Sequence, residues 1–490
     1  MALLYCLHLA VELKGCAEVK QSLSSGLCIL IAGDNDFYSQ REGDQAMSAE
    51  ALAALDPFKS HPCKLGDAHK TGLGSSAAMT TSLVASLLVH LGVVPSRDAN
   101  TKLSTWSLGL IHNVAQLVHC AAQGKVGSGF DVSSAVWGSQ LYRRFDPNVL
   151  QELIRDESSR LGTAEGSAAQ VCTAILASTA DRQEASPLVL HAHLDPYHPL
   201  WRPSPKSTSA DALPTAAEGA SELAREQHPD DDDTRVYRPA PLRLPPGIHL
   251  LLADVDAGSN TRTLVGTVSA WRKEKPEWAA QLYRVIGAAN QSLCDGLLTL
   301  HVEHEKDPAL YGQVLADLAA QRSAAWDTYK KEKPSSVVDA FIEVRNTLRS
   351  IRAGMRELGV RSQAPVEPPE MERLLSATIN GADGILGGGV PGAGGYDALY
   401  FLRLQPLGTP SVAVPPQVGE LWRSWSELSV GPLLCGADHP ADEAAPAGQS
   451  SSDTPVERVI HTLAFSRPGL RVEQPSSVPG LQPVSYTHLR

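Results

Sequence analysis

Lys70-Thr71-Gly72-Leu73-Gly74-Ser75-Ser76-Ala77-Ala78 runs without a break into MTTSLVASLLVHL at 79–91, where apolar residues recur at helical spacing. Glycines let a backbone pass close to a ligand, and a helix start offers unpaired N–H groups at its positive dipole end. Together they make a phosphate site, to which Ser75 and Ser76 can add hydroxyl oxygens for a phosphate or for Mg²⁺. The Walker A pattern G-x-x-x-x-G-K-[ST] is absent from this loop. Gly72, Gly74 and Ala77 meet the Rossmann spacing, but the preceding FKSHPCKLGDAHKT is polar where a strand is needed. A glycine–serine helix cap with no ligand stays open on spacing alone.

Two further glycine-rich loops lie downstream. GKVGSGFDVSSA at 124–135 joins the helical pattern of 113–123 to another helix and presents Ser128 and Asp131 from its end. A lone Asp after a loop is in most cases an N-cap. GGGVPGAGG at 387–395 leads into Tyr396-Asp397. Three such loops, each beside a helix or strand pattern, are hard to explain as turns alone.

Composition narrows the class. The chain has 490 residues, 43% of them hydrophobic, enough for a large core and more than one domain. A formal net charge of -12 argues against a nucleic-acid partner but allows a small anion in a local basic pocket. The eight cysteines include no C-x-x-C pair and read as free, buried thiols of a reducing compartment. No apolar stretch is long enough for a bilayer, and MALLYCLHLAVELKG reads as an amphipathic helix rather than a signal peptide.

The pattern along the chain gives four parts. Residues 1–155 alternate helix and strand signals, with a buried strand expected at 26–33 (GLCILIAG). Residues 156–245 are low in complexity, rich in Pro, Ser, Ala and Asp, and are expected to be a disordered insertion in which Asp230 to Asp233 is solvated charge. Residues 246–435 form a second ordered part: a buried strand from Gly247, long helices at 264–296 and 336–358, a glycine-rich turn and a strand at 397–404. Residues 436–490 are expected to be a disordered tail.

The loops occur in the order of the GHMP kinase superfamily, whose nucleotide loop P-x-x-x-G-L-G-S-S-A-A is matched by Gly72 to Ala78. Within it, the chain resembles the phosphomevalonate kinases. The resemblance rests on KTGLGSSAAMTTSLVASLL, GDNDFYSQR (33–41), HNVAQLVHCAAQGKVGSGFDVSSAVWGSQLYRRF (112–145), DV-x-x-GS-x-T (254–261), PVEPPE (365–370) and VPGAGGYDA (390–398). It implies an α+β, two-domain fold: an N-terminal domain like ribosomal protein S5 domain 2, and a ferredoxin-like C-terminal domain, with the site in the cleft between them.

The resemblance also implies roles. Lys70, Gly72, Leu73, Gly74, Ser75, Ser76 and Ala77 would hold ATP, and Ser75 and Ser76 would also meet Mg²⁺. Asp131 and Lys125 would be catalytic. Lys125, with Ser128, Gly129 and Arg144, would face the substrate phosphate. Ser259, Thr261, Gly392, Ala393, Gly394 and Gly395 would close the cleft. The implied reaction is ATP plus 5-phosphomevalonate giving ADP plus 5-diphosphomevalonate, a step of isoprenoid and sterol biosynthesis. The acceptor is a small molecule; no nucleic acid or membrane partner is expected, and oligomeric state is left unassigned. The compartment is read as cytoplasmic, with the peroxisome as the alternative.

The sequence departs from the family at its ends. Nothing in residues 1–30 matches the family's opening P-G-K-x-x-x-x-G-x-Y strand, so the chain is expected to begin inside the first domain and to be a poor catalyst as it stands. The final PVSYTHLR resembles translated cloning adapter. Two alternatives remain: a GHMP kinase acting on a hydroxyl, such as a mevalonate kinase, or a non-catalytic binding protein on the same scaffold.

Overall fold

The computed structural model describes residues 1–43, 45–55, 69–95, 103–151, 153–154, 190–202, 239–255, 261–410, 412–433, 459–462 and 470–473. The chain opens with α1 (Ala2–Lys14) and α2 (Cys16–Ser22), then a 3-10 turn at Asn35–Phe37, β1 (Arg41–Glu42), β2 (Gln45–Ala46) and α3 (Ala49–Ala53). Next come α4 (Ser75–His90), α5 (Thr105–Gln123), α6 (Phe130–Trp137), β3 (Gln140–Leu141) and α7 (Leu190–Leu194). Then follow β4 (Ala240–Pro241), β5 (Ile248–Asp254), α8 (Thr261–Glu274), α9 (Pro276–Lys306), α10 (Pro308–Ala319), α11 (Trp326–Glu332), α12 (Ser336–Ser362) and α13 (Pro369–Gly381). The last elements are β6 (Ile385–Gly389), β7 (Ala398–Leu404), α14 (Pro416–Arg423), β8 (Gly431–Leu433), β9 (Val459–Thr462) and β10 (Leu470–Glu473). Helices and antiparallel ladders make this an α+β protein. Among the described residues no helix is long and apolar enough to cross a membrane.

The first core is helical. α1 buries Tyr5, Leu7 and Leu9 against α4 and α5, which contribute Leu88, Leu110, Ile111 and Leu117. α5 starts where Ser104 accepts the Ser107 N–H, and it ends at Gly124, beyond which the Lys125 N–H bonds back to the Cys120 carbonyl. The second core is built on a four-stranded antiparallel sheet in the order β6-β7-β5-β8. Its pleat sends Ile248, Leu402 and Leu404 towards α10 and α12, and Leu251, Ala253, Leu399 and Phe401 towards α13 and α14. Burial on both faces explains why IHLLLADV is a continuous apolar run rather than an alternating one. β8 lies against β2 and α3, so the first part abuts an edge of this sheet.

Several sequence expectations are corrected here. Residues 26–33 form no strand; Leu30 is 58% and Ile31 55% exposed. A strand needs a neighbour for its N–H and C=O groups, and no described strand pairs with this run. Gly387 to Gly389, read as part of a turn, are three strand residues of β6. The helix read over 264–296 is two, separated at Lys275, because Pro276 opens a new first turn. Within 156–245, residues 156–189 and 203–238 lie outside the described residues, but 190–202 are folded. There Leu190, Leu194 and Trp201 enter the first core, and the Trp201 indole donates to the His193 carbonyl at 2.8 Å. Of the tail, β9 and β10 form an antiparallel ladder; the rest lies outside the described residues. Cys6, Cys120 and Cys294 are buried free thiols as expected, whereas Cys28 is exposed.

Candidate active site

The first loop is clamped from below. Tyr38 pairs with Lys70 across an isolated bridge, the Thr71 N–H donates to the Phe37 carbonyl, and the Thr71 hydroxyl donates to the Asp36 carbonyl at 2.8 Å. Thr71 is fully buried, so the 33–41 segment works as a floor that sets where Gly72 begins. Gly74 caps α4 without a side chain, and its carbonyl accepts the N–H groups of both Ala77 and Ala78. The helix bonding thus starts at Ala77, leaving the N–H groups of Ser75 and Ser76 at the open end. Ala77 itself is buried in the core and closes the helix start rather than facing outward.

The second loop is held on three sides. The Arg144 guanidinium donates to the carbonyls of Val126 and Gly127, at 3.2 and 2.7 Å, and the Tyr142 hydroxyl donates to the Ser128 carbonyl at 2.7 Å. The Gln116 amide, fully buried in α5, donates to the Gly129 carbonyl at 2.6 Å. Gly129 has φ +79°, and a Cβ there would lie 2.8 Å from Gln116 and from Phe145, so only glycine fits. Lys125 and Ser128 are exposed on this loop. Arg144, expected at the substrate phosphate, spends part of its guanidinium on the loop's own carbonyls.

Asp131 stands in the first turn of α6, with Oδ1 accepting the Val132 N–H at 2.9 Å. Its side chain is 27% exposed, and Oδ2 is 3.8 Å from Nδ1 of His119. A Cβ placed on Gly74 would sit 3.8 Å from the Asp131 Cβ, so the acid lies directly beside the first loop.

The third loop arrives from the other core. The Gly395 N–H donates to the Val366 carbonyl at 3.1 Å, and the Tyr396 hydroxyl donates to Glu370 at 2.9 Å, which joins the 390–398 and 365–370 motifs. The second of these is anchored by Glu367, whose nearly buried carboxylate takes two guanidinium nitrogens of Arg352, at 2.9 and 2.7 Å. Asp397 follows, and a Cβ on Gly72 would lie 2.8 Å from the Asp397 Cβ. Gly72 also has φ +71°, so this contact both needs glycine and brings the third loop against the first. Gly392 is exposed and Ala393 partly so, while Gly394 and Gly395 are buried beneath them.

The structure therefore brings Gly72, Leu73, Gly74, Ser75 and Ser76 together with Asp131, and sets the third loop beside them. Ser259 lies outside the described residues, and Thr261 only marks the start of α8. Reading the sequence missed His119, Gln116 and the contact of Asp397. The signal was present: His112, Gln116, His119 and Gln123 repeat along one side of α5, a polar stripe in an otherwise apolar helix. Among the described residues no group of three or more His, Cys, Asp or Glu could hold a metal ion. Ser75, Ser76 and Asp131 offer oxygen donors of the kind that Mg²⁺ takes beside phosphate and water.

No protein-family model matches the chain. It is 32% identical over 448 residues to the peroxisomal phosphomevalonate kinase of Arabidopsis thaliana, covering 88% of this chain and 74% of that one. It is 33% identical to a phosphomevalonate kinase of Gibberella zeae and 30% identical to one of Aspergillus fumigatus, of whose lengths it spans 61% and 58%. Among solved structures, a Lin0012 protein from Listeria innocua aligns over 70% of this chain and 63% of that one, with 15% identity and a TM-score of 0.35, too remote to carry an argument. On the length and level of the likeness to the plant enzyme, with the fungal relatives beside it, the chain belongs to the phosphomevalonate kinase family.

Proposed function

We propose that the chain catalyses transfer of the γ-phosphoryl group of ATP to 5-phosphomevalonate, giving ADP and 5-diphosphomevalonate. The observation that carries this reading is the meeting of Asp131 with Gly74 and of Asp397 with Gly72 at the open start of α4. It joins a phosphate-binding helix end, an acidic residue and a third loop at one point, as a phosphoryl transfer site requires. The antiparallel sheet β6-β7-β5-β8 supports the reading of a ferredoxin-like second domain, and the S5-like first domain belongs to the same proposal.

In this mechanism Ser75 and Ser76 receive the ATP phosphates with their N–H and hydroxyl groups. The acceptor is a phosphate monoester with a second pKa of about 6, so near neutral pH it is mostly dianionic and needs little help from a base. Two polyanions must instead be held together. The exposed lysines Lys125 and Lys70 flank the first two loops and supply positive charge there. Lys125, Ser128, Gly129 and Arg144 bind the acceptor phosphate, and the 392–395 turn closes the site. Mg²⁺ would be held by Ser75, Ser76 and Asp131, and when bound it neutralises charge on the β- and γ-phosphates. Asp131 orients the cation or a lysine, with proton abstraction a secondary role. The compartment is read as cytoplasmic or peroxisomal; the Arabidopsis relative is named as peroxisomal.

The test is Asp131→Asn. It keeps the shape and removes the charge, so kcat is expected to fall about 10²–10³-fold while calorimetry still detects ATP binding. An unchanged kcat would remove Asp131 from the site.

A further inference from the structure

His119 is buried in α5, at 6% exposure, and has no part in the mechanism above. Three side chains surround its ring. Nε2 lies 3.2 Å from the Ser76 hydroxyl and 3.1 Å from the Gln123 amide nitrogen. Nδ1 lies 3.8 Å from Oδ2 of Asp131. In the orientation that the Gln123 amide takes, its nitrogen can only donate, so Nε2 of the imidazole is an acceptor. With Nε2 accepting, the ring proton sits on Nδ1, the nitrogen on the side of the Asp131 carboxylate. The hydroxyl of Ser76, free to rotate, lies within hydrogen-bond reach of the same Nε2. The 3.8 Å separation from Asp131 is longer than a hydrogen bond, so Nδ1 stands beside the carboxylate without being bonded to it here.

We propose that His119 is a positioning residue that couples the phosphate loop to Asp131: Nε2 fixes the Ser76 hydroxyl and Nδ1–H orients the acid. α5 is well placed for this, because it packs against both α4 and α6 and its stripe also holds Gly129 through Gln116. One rigid helix thereby sets the phosphate loop, the second glycine loop and the acid in register. The inference rests on the reading of Ser76 as an ATP residue and of Asp131 as a residue at the transferred group.

Two measurements on the full chain test it. The first is the nitrogen-15 spectrum of the histidine rings, with the His119 signal assigned by its loss in His119→Gln. The proposal expects the proton on Nδ1 and a lone pair on Nε2; a proton on Nε2 would overturn it. The second is steady-state kinetics. A glutamine places an acceptor near the former Nε2, so His119→Gln is expected to keep the KM for ATP within about twofold and to lose about tenfold in kcat. An asparagine places a donor near the former Nδ1, so His119→Asn is expected to raise the KM for ATP about tenfold and keep most of kcat. His119→Phe should lose both. Equal losses in all three, tracking a lowered melting temperature, would reduce His119 to a core residue and overturn the proposal. If the wild-type chain fails to phosphorylate phosphomevalonate, the functional reading falls, and the ring tautomer still decides whether His119 makes this link.

Discussion

Gly74 and Asp131 lie far apart in the chain and side by side in the fold, with the Cβ positions 3.8 Å apart. Gly74 has φ +81°, a region that a β-branched residue enters only with strain, of order 1–2 kcal/mol. Gly74→Val also puts a side chain where the ATP phosphates approach the backbone, so it is expected to weaken ATP binding about tenfold or more, about 1.4 kcal/mol, while the fold survives. Unchanged ATP binding by calorimetry would remove the phosphate-loop assignment. The neighbouring stripe on α5 makes a second, separate prediction. Burial lowers the pKa of His112 from 6.5 to about 4, against the opposing hydrogen bond to Asn113. Between those values the unfolded chain takes up a proton that the folded ring refuses. Stability should thus be fully present above about pH 6.5 and fall as pH drops towards 4, by up to about 3 kcal/mol. His112→Gln should flatten that part of the stability profile measured by urea unfolding; an identical slope in both proteins would contradict the burial argument.

At the scale of elements, Trp201 is the residue that most changes the reading of the middle of the chain. It is 2% exposed and stacks obliquely on Phe145, with ring centroids 4.9 Å apart. Trp201→Ala is expected to cost about 3–5 kcal/mol, read as a lower urea midpoint; a shift under about 1 kcal/mol would return residues 190–202 to the insertion. The sequence concealed this because the apolar residues Leu190, Leu194 and Trp201 are few and lie among proline-rich and polar stretches. Helices α4, α5 and α12 and strands β5 and β7 were legible because each carries a long, regular apolar pattern. The run at 26–33 carries one too, yet its pattern says only what the residues would bury, not whether a partner strand is there to receive them. Gly387 to Gly389 misled in the other direction. Three glycines read as a turn, but in β6 they let Leu348 of α12 and Phe401 of β7 pack close to the strand.

For the whole molecule, the candidate site is a product of convergence. The motifs around 70–78, 124–135 and 390–398 could each be seen in the sequence, and each alone allowed a plain turn or cap. Their contacts, Asp131 at Gly74 and Asp397 at Gly72, are long-range facts that no local pattern encodes. His119 was hidden for the same reason, since its partners Ser76 and Asp131 sit on two other helices. The net charge of -12 sets a matching condition on the account. An acidic molecule must draw two polyanions into one place by local means, so its selectivity should lie in whether the acceptor carries a phosphate. The most direct measurement is ADP formation from ATP and Mg²⁺ by the full chain, with 5-phosphomevalonate or mevalonate as the acceptor in parallel. The account predicts ADP release that depends on 5-phosphomevalonate and at least about a hundredfold lower kcat/KM with mevalonate, because a site built for a charged group is left unpaired by an acceptor that lacks it. Equal turnover of the two acceptors would contradict it and make the chain a hydroxyl kinase.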